Sequence, residues 1–307
     1  MFFVLISTFS FTQTNLVTNP SFEDRISCPN GLADFNAVIG WNSPTLGTPD
    51  YFNICDLSTA GIPSNNYGYE YAHSGDAYTG ILTNVYESTT NGREYIQARL
   101  KQQMEINNLY KISFFVSFAD SCLNAANNLG VFMSCVQLSY PTLIDTLPIV
   151  TGLNESEIIT QTNGWRQINY YYLANGSENY IVIGNFHSNI NTNYQPINNS
   201  GIDNKKESYY YIDDVSVEKI DIEIANVFSP NNDGVNDFWI LNNLPEDTSV
   251  EIYNRWGKLL NKASVKGTYK WNGKTIEGQE CNEGTYFYLI SYKNKTIIEK
   301  GFLQLFK

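Results

Sequence analysis

Histidine is nearly absent from this chain: there are two, His73 and His187, among 307 residues. Charge is scarce as well. Asp, Glu, Lys and Arg make up 16% of the sequence, with 19 basic residues against 31 acidic. A net charge of −12 and a pI near 4.6 leave no basic patch, which argues against a nucleic-acid partner. No Gly-x-Ser-x-Gly, His-Glu-x-x-His or phosphate-binding glycine loop occurs. Cys-x-x-Cys is missing too, which removes the usual zinc and redox arrangements. No apolar run is long enough to cross a bilayer as a helix. No internal repeat is visible.

Aromatic residues are plentiful instead. With 22 Tyr and 17 Phe, the chain reads as ordered and rich in β-structure. Its length suggests about two domains. From Asp221 onward there are 10 basic and 11 acidic residues, so 19 − 10 = 9 basic and 31 − 11 = 20 acidic lie upstream. The acidity therefore sits in the first part, where it serves solubility or could hold Ca²⁺.

Residues 1–12 form a short apolar run ending in Ser10-Phe-Thr12. Small residues at both ends of that tripeptide suit a signal-peptide cleavage site, with Gln13 as mature N-terminus. A positive leading region is missing, so the expectation is a secretory signal whose true start lies upstream; the alternative is a buried first strand. In an exported protein the cysteines would pair. Cys28, Cys55, Cys122 and Cys135 allow three connectivities. Cys28–Cys55 and Cys122–Cys135 are favoured, because each pair brackets a loop-rich stretch. Cys281 is left over as a small buried residue.

Within residues 13–219, Tyr110–Ala119 is apolar on both faces in its middle and reads as a strand buried between layers. Val131–Leu138 is another strand. Trp165–Leu173 and Asn179–Gly184 flank Asn175-Gly176, a hairpin signal. Residues 155–160 suit one helical turn. Asn185–Ser208 is a long polar loop, functional or mobile. Short strands with polar turns imply a two-sheet sandwich.

The last stretch opens with Val227 and Phe228, followed by the turn cluster Pro230, Asn231, Asn232, Asp233 and Gly234, then Asn236 and Asp237. Strand, ordered polar loop, strand is the reading. Asp233-Gly234 resembles part of a calcium loop, but a self-bonded turn is favoured over an EF-hand. Asn254-Arg-Trp-Gly257, Tyr269–Gly273, Gly284-Thr-Tyr286 and Lys300–Lys307 follow in order. In this order the blocks resemble the gliding-motility-associated C-terminal domain of Bacteroidetes, the type B sorting domain of type IX secretion. The resemblance implies an immunoglobulin-like β-sandwich over residues 220–307. It also implies export to the outer cell surface through the type IX machinery and a partner outer-membrane protein. The motif residues it assigns to sorting are Pro230, Asn231, Asp233, Gly234, Asn236, Asp237, Asn254, Arg255, Trp256, Gly257, Gly284, Thr285 and Tyr286. Cys281 departs from the pattern. Trp256 and Trp271 are expected in the sandwich core.

Asn15–Glu23, Gly40-Trp41, His73-Ser-Gly75 and Tyr211–Val217 resemble galactose-binding-like jelly rolls, among them carbohydrate-binding modules with a structural calcium. Ser43-Pro44, Thr48–Asn53, Arg93–Gln97 and Ile183–Phe186 look like an uncharacterised surface domain of Bacteroidetes. The overall expectation is all-β, a jelly-roll β-sandwich followed by an immunoglobulin-like one. By resemblance, calcium would be held by Glu23, Asp213 and Asp214, with carbonyls of Ser74 and Gly75. For a glycan, Tyr67, Tyr69 and Tyr71 alternate on one strand face, and Tyr51 stands near Asp50. Arg93 and Glu94 form either a structural ion pair or a polar clamp. Each aromatic has a competing place in the core. Three readings stay open: a glycan-binding or adhesive surface protein, a structural envelope component, or a polysaccharide lyase or glycosidase. A glycosidase needs two carboxylates flanking a cleft, a test that 31 acids leave nearly empty.

Overall fold

The computed structural model describes residues 14–307 apart from 87, 89, 144, 151, 198–204, 294 and 295. The expected signal segment, residues 1–12, lies outside the described residues. Two compact units form: Met1–Ile106 with Tyr110–Glu218, and Lys219–Lys307 with Asn107–Leu109.

In the first unit the strands are β1 (Trp41–Asn42), β2 (Asp50–Asn53), β3 (Ser64–Asn65), β4 (Gly68–Tyr69), β5 (Ala77–Val85), β6 (Tyr95–Arg99) and β7 (Leu109–Phe118). Then come β8 (Asn124–Ala126), β9 (Leu129–Ser134), β10 (Leu153–Asn154), β11 (Arg166–Leu173), β12 (Tyr180–Asn185), β13 (Tyr194–Pro196) and β14 (Glu207–Lys219). Two sheets face each other, ordered β1-β6-β12-β9-β10 and β11-β7-β14-β5-β2. Period-2 alternation fills the space between them. Ile96, Ile181, Ile183 and Val131 from one sheet meet Ile112, Phe114, Val116 and Ile212 from the other, all within 1% exposure. Burying one such side chain stabilises by about 1.5–3 kcal/mol.

The outer faces are largely covered as well. Over β6, β12 and β9, the residues Tyr95, Val182 and Phe132 pack with Phe186 and with Leu138, Tyr140, Leu143, Leu147 and Ile149 of the β9–β10 connection. Over the second sheet, Phe52, Tyr78, Tyr209 and Tyr211 form an aromatic cluster. The segment around β3 and β4 lies on it, because Tyr67 stacks flat on Tyr209. Gly80 is needed there: a Cβ would collide with the Tyr209 ring.

Two secondary-structure expectations differ from what this unit shows. β11 and β12 do not make a hairpin; they belong to different sheets. The cause is Glu178, whose carboxylate accepts from the backbone N–H of Asn175, Gly176 and Ser177 and from the Tyr172 hydroxyl. That clasp turns the chain from one layer to the other. Residues 155–160 make no helical turn, since β10 leads straight into an extended connection.

The second unit holds β15 (Val227–Phe228), β16 (Trp239–Asn254), β17 (Leu259–Trp271), β18 (Gly284–Tyr292) and β19 (Thr296–Leu305), in the order β15-β19-β18-β16-β17. β16 and β17 are long, and their register shifts at Leu241, Leu244 and Thr248. Such irregularities bend strands. The bent ends, with Trp239 opposite Trp271, cover the face carrying Tyr286 and Tyr288. One hairpin thus supplies the second layer of a sandwich. Trp271 is in this core, 1% exposed, as expected; Trp256 is 80% exposed. It occupies the β16–β17 turn, where Asn254 Oδ1 accepts from Trp256 and Lys258 N–H and Gly257 takes positive φ. Its ring stays outside the core, with the Arg255 guanidinium over it.

Candidate functional site

The residues singled out for ligand contact separate into buried and exposed groups. Tyr51 is wholly buried and donates to the Phe22 carbonyl, 3.1 Å. Asp50 is buried, accepting from Ala33 N–H and from the Tyr209 hydroxyl. Burial raises its carboxyl above the ordinary value, against the pull of those hydrogen bonds. Arg93 is 1% exposed. Its guanidinium donates to the carbonyls of Gly92 and His187, 2.9 and 3.0 Å, and burial pushes it down to about 10. Glu94 is not its ion-pair partner: it accepts from Thr48 and from Leu82 N–H. All four are engaged in contacts within the unit.

Tyr67, Tyr69 and Tyr71 do not share a face. Gly68, at φ 146°, breaks the alternation and sends Tyr67 inward under Lys205, whose Nζ lies 3.7 Å from the ring centroid. Tyr69 and Tyr71 stay exposed, edge to face, with their hydroxyls 3.1 Å apart.

The turn after Tyr71 gathers the residues named for calcium. Asp213 accepts from His73, Ser74 and Asp214 N–H, at 2.9, 3.2 and 2.7 Å. Asp214 accepts from the Ser74 hydroxyl and pairs with His73 Nδ1. Glu23 accepts from Asp76 and Ala77 N–H and lies against Gly75. Burial, with Asp214 beside it, pushes the Asp213 carboxyl up to about 8. Among the described residues no three His, Cys, Asp or Glu side chains form a group that could hold a metal ion. The carboxylates tie both ends of the unit to one turn by hydrogen bonds.

Of the two expected disulfides, Cys28–Cys55 forms, with Cα atoms 5.9 Å apart. Cys122 and Cys135 do not pair, which corrects the second. Cys122 is buried beside the start of β8, whereas Cys135 is exposed beyond the end of β9.

An open part of the first sheet's outer face carries a groove of about 360 Å³ that the motifs did not reveal. Asn42 of β1 stands opposite Gln97 of β6, and Tyr180 of β12 opposite Arg99. Gln137 also lines the groove. Gln97 is buried and donates its amide to Asn42 and to the Leu138 carbonyl, while accepting from Leu138 N–H. It pins the covering segment at the groove's margin. Arg99 is exposed and Tyr180 half-buried. The signal was legible in Tyr95-Ile-Gln-Ala-Arg99, where alternation places 95, 97 and 99 on one face.

In the second unit the loop 230–237 is closed on itself. Asp237 accepts from Asn232 and Gly234 N–H, and Asp233 from Val235 N–H. These are self-bonded turns, as expected. Tyr286 donates to the Asn282 carbonyl. The CHU_C type IX secretion signal family matches residues 222–305. This unit is a type IX secretion signal domain. The signal domain marks the protein for export to the cell surface. No helix among the described residues is long and apolar enough to cross a membrane.

No curated protein matches the chain. Solved structures similar to it include PorZ of Porphyromonas gingivalis, described as an essential bacterial surface component of the type-IX secretion system. Identity there is 18%, over 32% of this chain and only 15% of that one, at a TM-score of 0.24. The CBM22-1 xylan-binding domain of Paenibacillus barcinonensis Xyn10C is 10% identical over 68% of this chain and 96% of that one, TM-score 0.34. The K1 cleaved adhesin domain of the P. gingivalis Lys-gingipain is 15% identical over 68% and 99%, TM-score 0.32.

Proposed function

We propose that the exported chain is a cell-surface recognition protein whose first unit binds a glycan in the groove of Asn42, Arg99, Gln137 and Tyr180. The groove itself supports this reading: it is a concavity on the sheet lined by amides, a guanidinium and a phenol. Sugars present vicinal hydroxyls and an apolar ring face. Amides and guanidinium groups bond the former, and a phenol ring packs against the latter. Its lining contains no carboxylate and no histidine, so the paired acids of a glycosidase are not available there.

A calcium ion near the turn at residues 73–77 belongs to this reading, as the jelly-roll resemblance implies. Supporting it is the gathering of Glu23, Asp213 and Asp214 about that turn. Backbone carbonyls and water would have to complete the shell, which Ca²⁺ accepts. Its contribution would be to hold strand ends, not to do chemistry.

A polysaccharide array probed with the secreted full-length protein tests the glycan reading. Arg99→Ala and Tyr180→Ala should each weaken binding about tenfold, or 1.4 kcal/mol. Tyr69→Ala should leave it unchanged. Failure of the intact protein to bind any polysaccharide, or equal binding by the Arg99 and Tyr180 variants, would overturn it. A structural role in the envelope would then be the better reading.

A further inference from the structure

The outer face of the signal domain carries an exposed row of apolar side chains. Tyr253, Phe287 and Phe302 stand side by side across β16, β18 and β19. Leu259 extends the row on β17, opposite Tyr253. Phe287 and Phe302 are 47% and 50% exposed. The next outward row places Leu289 beside Lys300. Tyr253, Phe287, Phe302, Leu289 and Lys300 line a groove of about 640 Å³, and Arg255 is part of its lining.

The charge around this groove is one-sided. Glu251 is engaged by Lys262 at 2.7 Å and by the Tyr253 hydroxyl at 2.6 Å. Among the described residues neither Arg255 nor Lys300 has an ion pair. Arg255 lies over the exposed Trp256 ring, 5.3 Å from its centroid. A contiguous aromatic surface of this kind is costly to leave in water and marks an interaction site. Exposed aromatics beside arginine are the residue types that dominate binding energy at protein interfaces.

We infer that this groove docks an acidic segment of a partner protein, one that inserts an aromatic or aliphatic side chain between the rows and sets carboxylates against Arg255 and Lys300. Charge complementarity selects that occupant. Two cations without an ion pair among the described residues flank an apolar floor, so an acidic apolar segment gains from both, whereas a basic or purely polar one does not. The contribution of the cations is exposed and therefore screened by salt.

The test uses the full-length chain and a fluorescein-labelled peptide, Asp-Glu-Phe-Asp-Leu-Glu, followed by anisotropy. Binding should weaken about tenfold in Phe302→Ser and in Lys300→Glu, and fall steeply between low salt and 0.5 M NaCl. Both residues are exposed, so unchanged melting of the variants checks that folding is intact. Ile240→Ser, which removes an exposed apolar side chain elsewhere on β16, should leave binding as it was. Equal peptide affinity in wild type, Phe302→Ser and Lys300→Glu would overturn the proposal. So would binding of phosphatidylglycerol vesicles through these residues without the peptide, which would make the occupant a lipid surface. Sedimentation showing a dimer that Phe302→Ser dissolves would make it a second copy of this chain.

Discussion

Tyr67 lies flat on Tyr209, with ring centroids 3.6 Å apart and planes 7° from parallel. Lys205 caps the other side of the Tyr67 ring. The stack holds the segment around β3 and β4 on the sheet beneath, which gives Tyr67 a place in the packing. Tyr67→Ala should therefore cost about 2–4 kcal/mol, as deletion of a packed aromatic does. Tyr67→Phe, which keeps the stack, should retain most of the stability. Urea melts of the two variants check this. Polysaccharide binding lost without loss of stability would show that Tyr67 touches ligand.

Alternation and turn chemistry made much of the architecture readable. The strand from Tyr110 and the self-bonded loop 230–237 follow from local residue types. What was not readable depends on pairs distant in sequence. Nothing near Tyr67 announces that Tyr209 will lie beneath it. Asn175-Gly176 is a sound turn signal, yet three N–H bonds to Glu178 decide that the turn changes sheets. The groove is not legible in the sequence because its parts come from β1, β6 and β12, and only the Gln97-Ala-Arg99 step shows in one segment. Trp256 misled because tryptophan is usually core; the Asn254-bonded turn holds it outward.

Export gives a second prediction. A chain ended after Lys219 keeps every strand of the first unit and loses the signal domain. It should fold and remain inside the outer membrane, while the intact chain becomes accessible to added protease on whole cells. Surface display of the truncated chain would contradict the assignment.

The disulfide gives a third. Cys28 and Cys55 close a loop with a sequence separation of 27. The loop-entropy relation puts the stabilisation at about 3–4 kcal/mol. Mass spectrometry of the non-reduced secreted protein should find that pair linked and Cys135 open to alkylation. A Cys122–Cys135 bridge would overturn the arrangement. Replacing Cys28 and Cys55 together by Ser should lower the melting temperature, whereas Cys135→Ser should not.

Glu94 makes stability depend on pH. Burial, with Asp50 nearby, pushes its carboxyl up to about 7, although Leu82 and Thr48 N–H pull the other way. The folded chain therefore holds a proton that the unfolded chain has already lost above the ordinary glutamate value of 4.5. Its contribution is complete below that value and is lost as pH rises through about 7. Unfolding free energy measured from pH 4.5 to 8 should contain a falling component that Glu94→Gln removes. A Glu94→Gln profile parallel to wild type would show that Glu94 titrates normally.

Calcium gives the last prediction. Glu23 and Asp213 reach the turn at residues 73–77 from opposite ends of the first unit, and each already accepts backbone N–H groups. A cation bound only by the folded state adds RT ln(1 + [L]/Kd), about 2.7 kcal/mol at a hundredfold excess over Kd. On the proposed reading, EGTA should lower the melting temperature of the full-length protein, and Ca²⁺ should restore it where Mg²⁺ does not. Magnesium fails because it demands a tight octahedron and gives up water reluctantly. Glu23→Gln should abolish the response to Ca²⁺. If hydrogen bonds alone hold the turn, EGTA will leave the melt unchanged in protein shown to be metal-free by elemental analysis. Glu23→Gln will then lower stability to the same extent with and without Ca²⁺. That pair of results would remove the ion and leave the Glu23 and Asp213 clasp as the whole of the device.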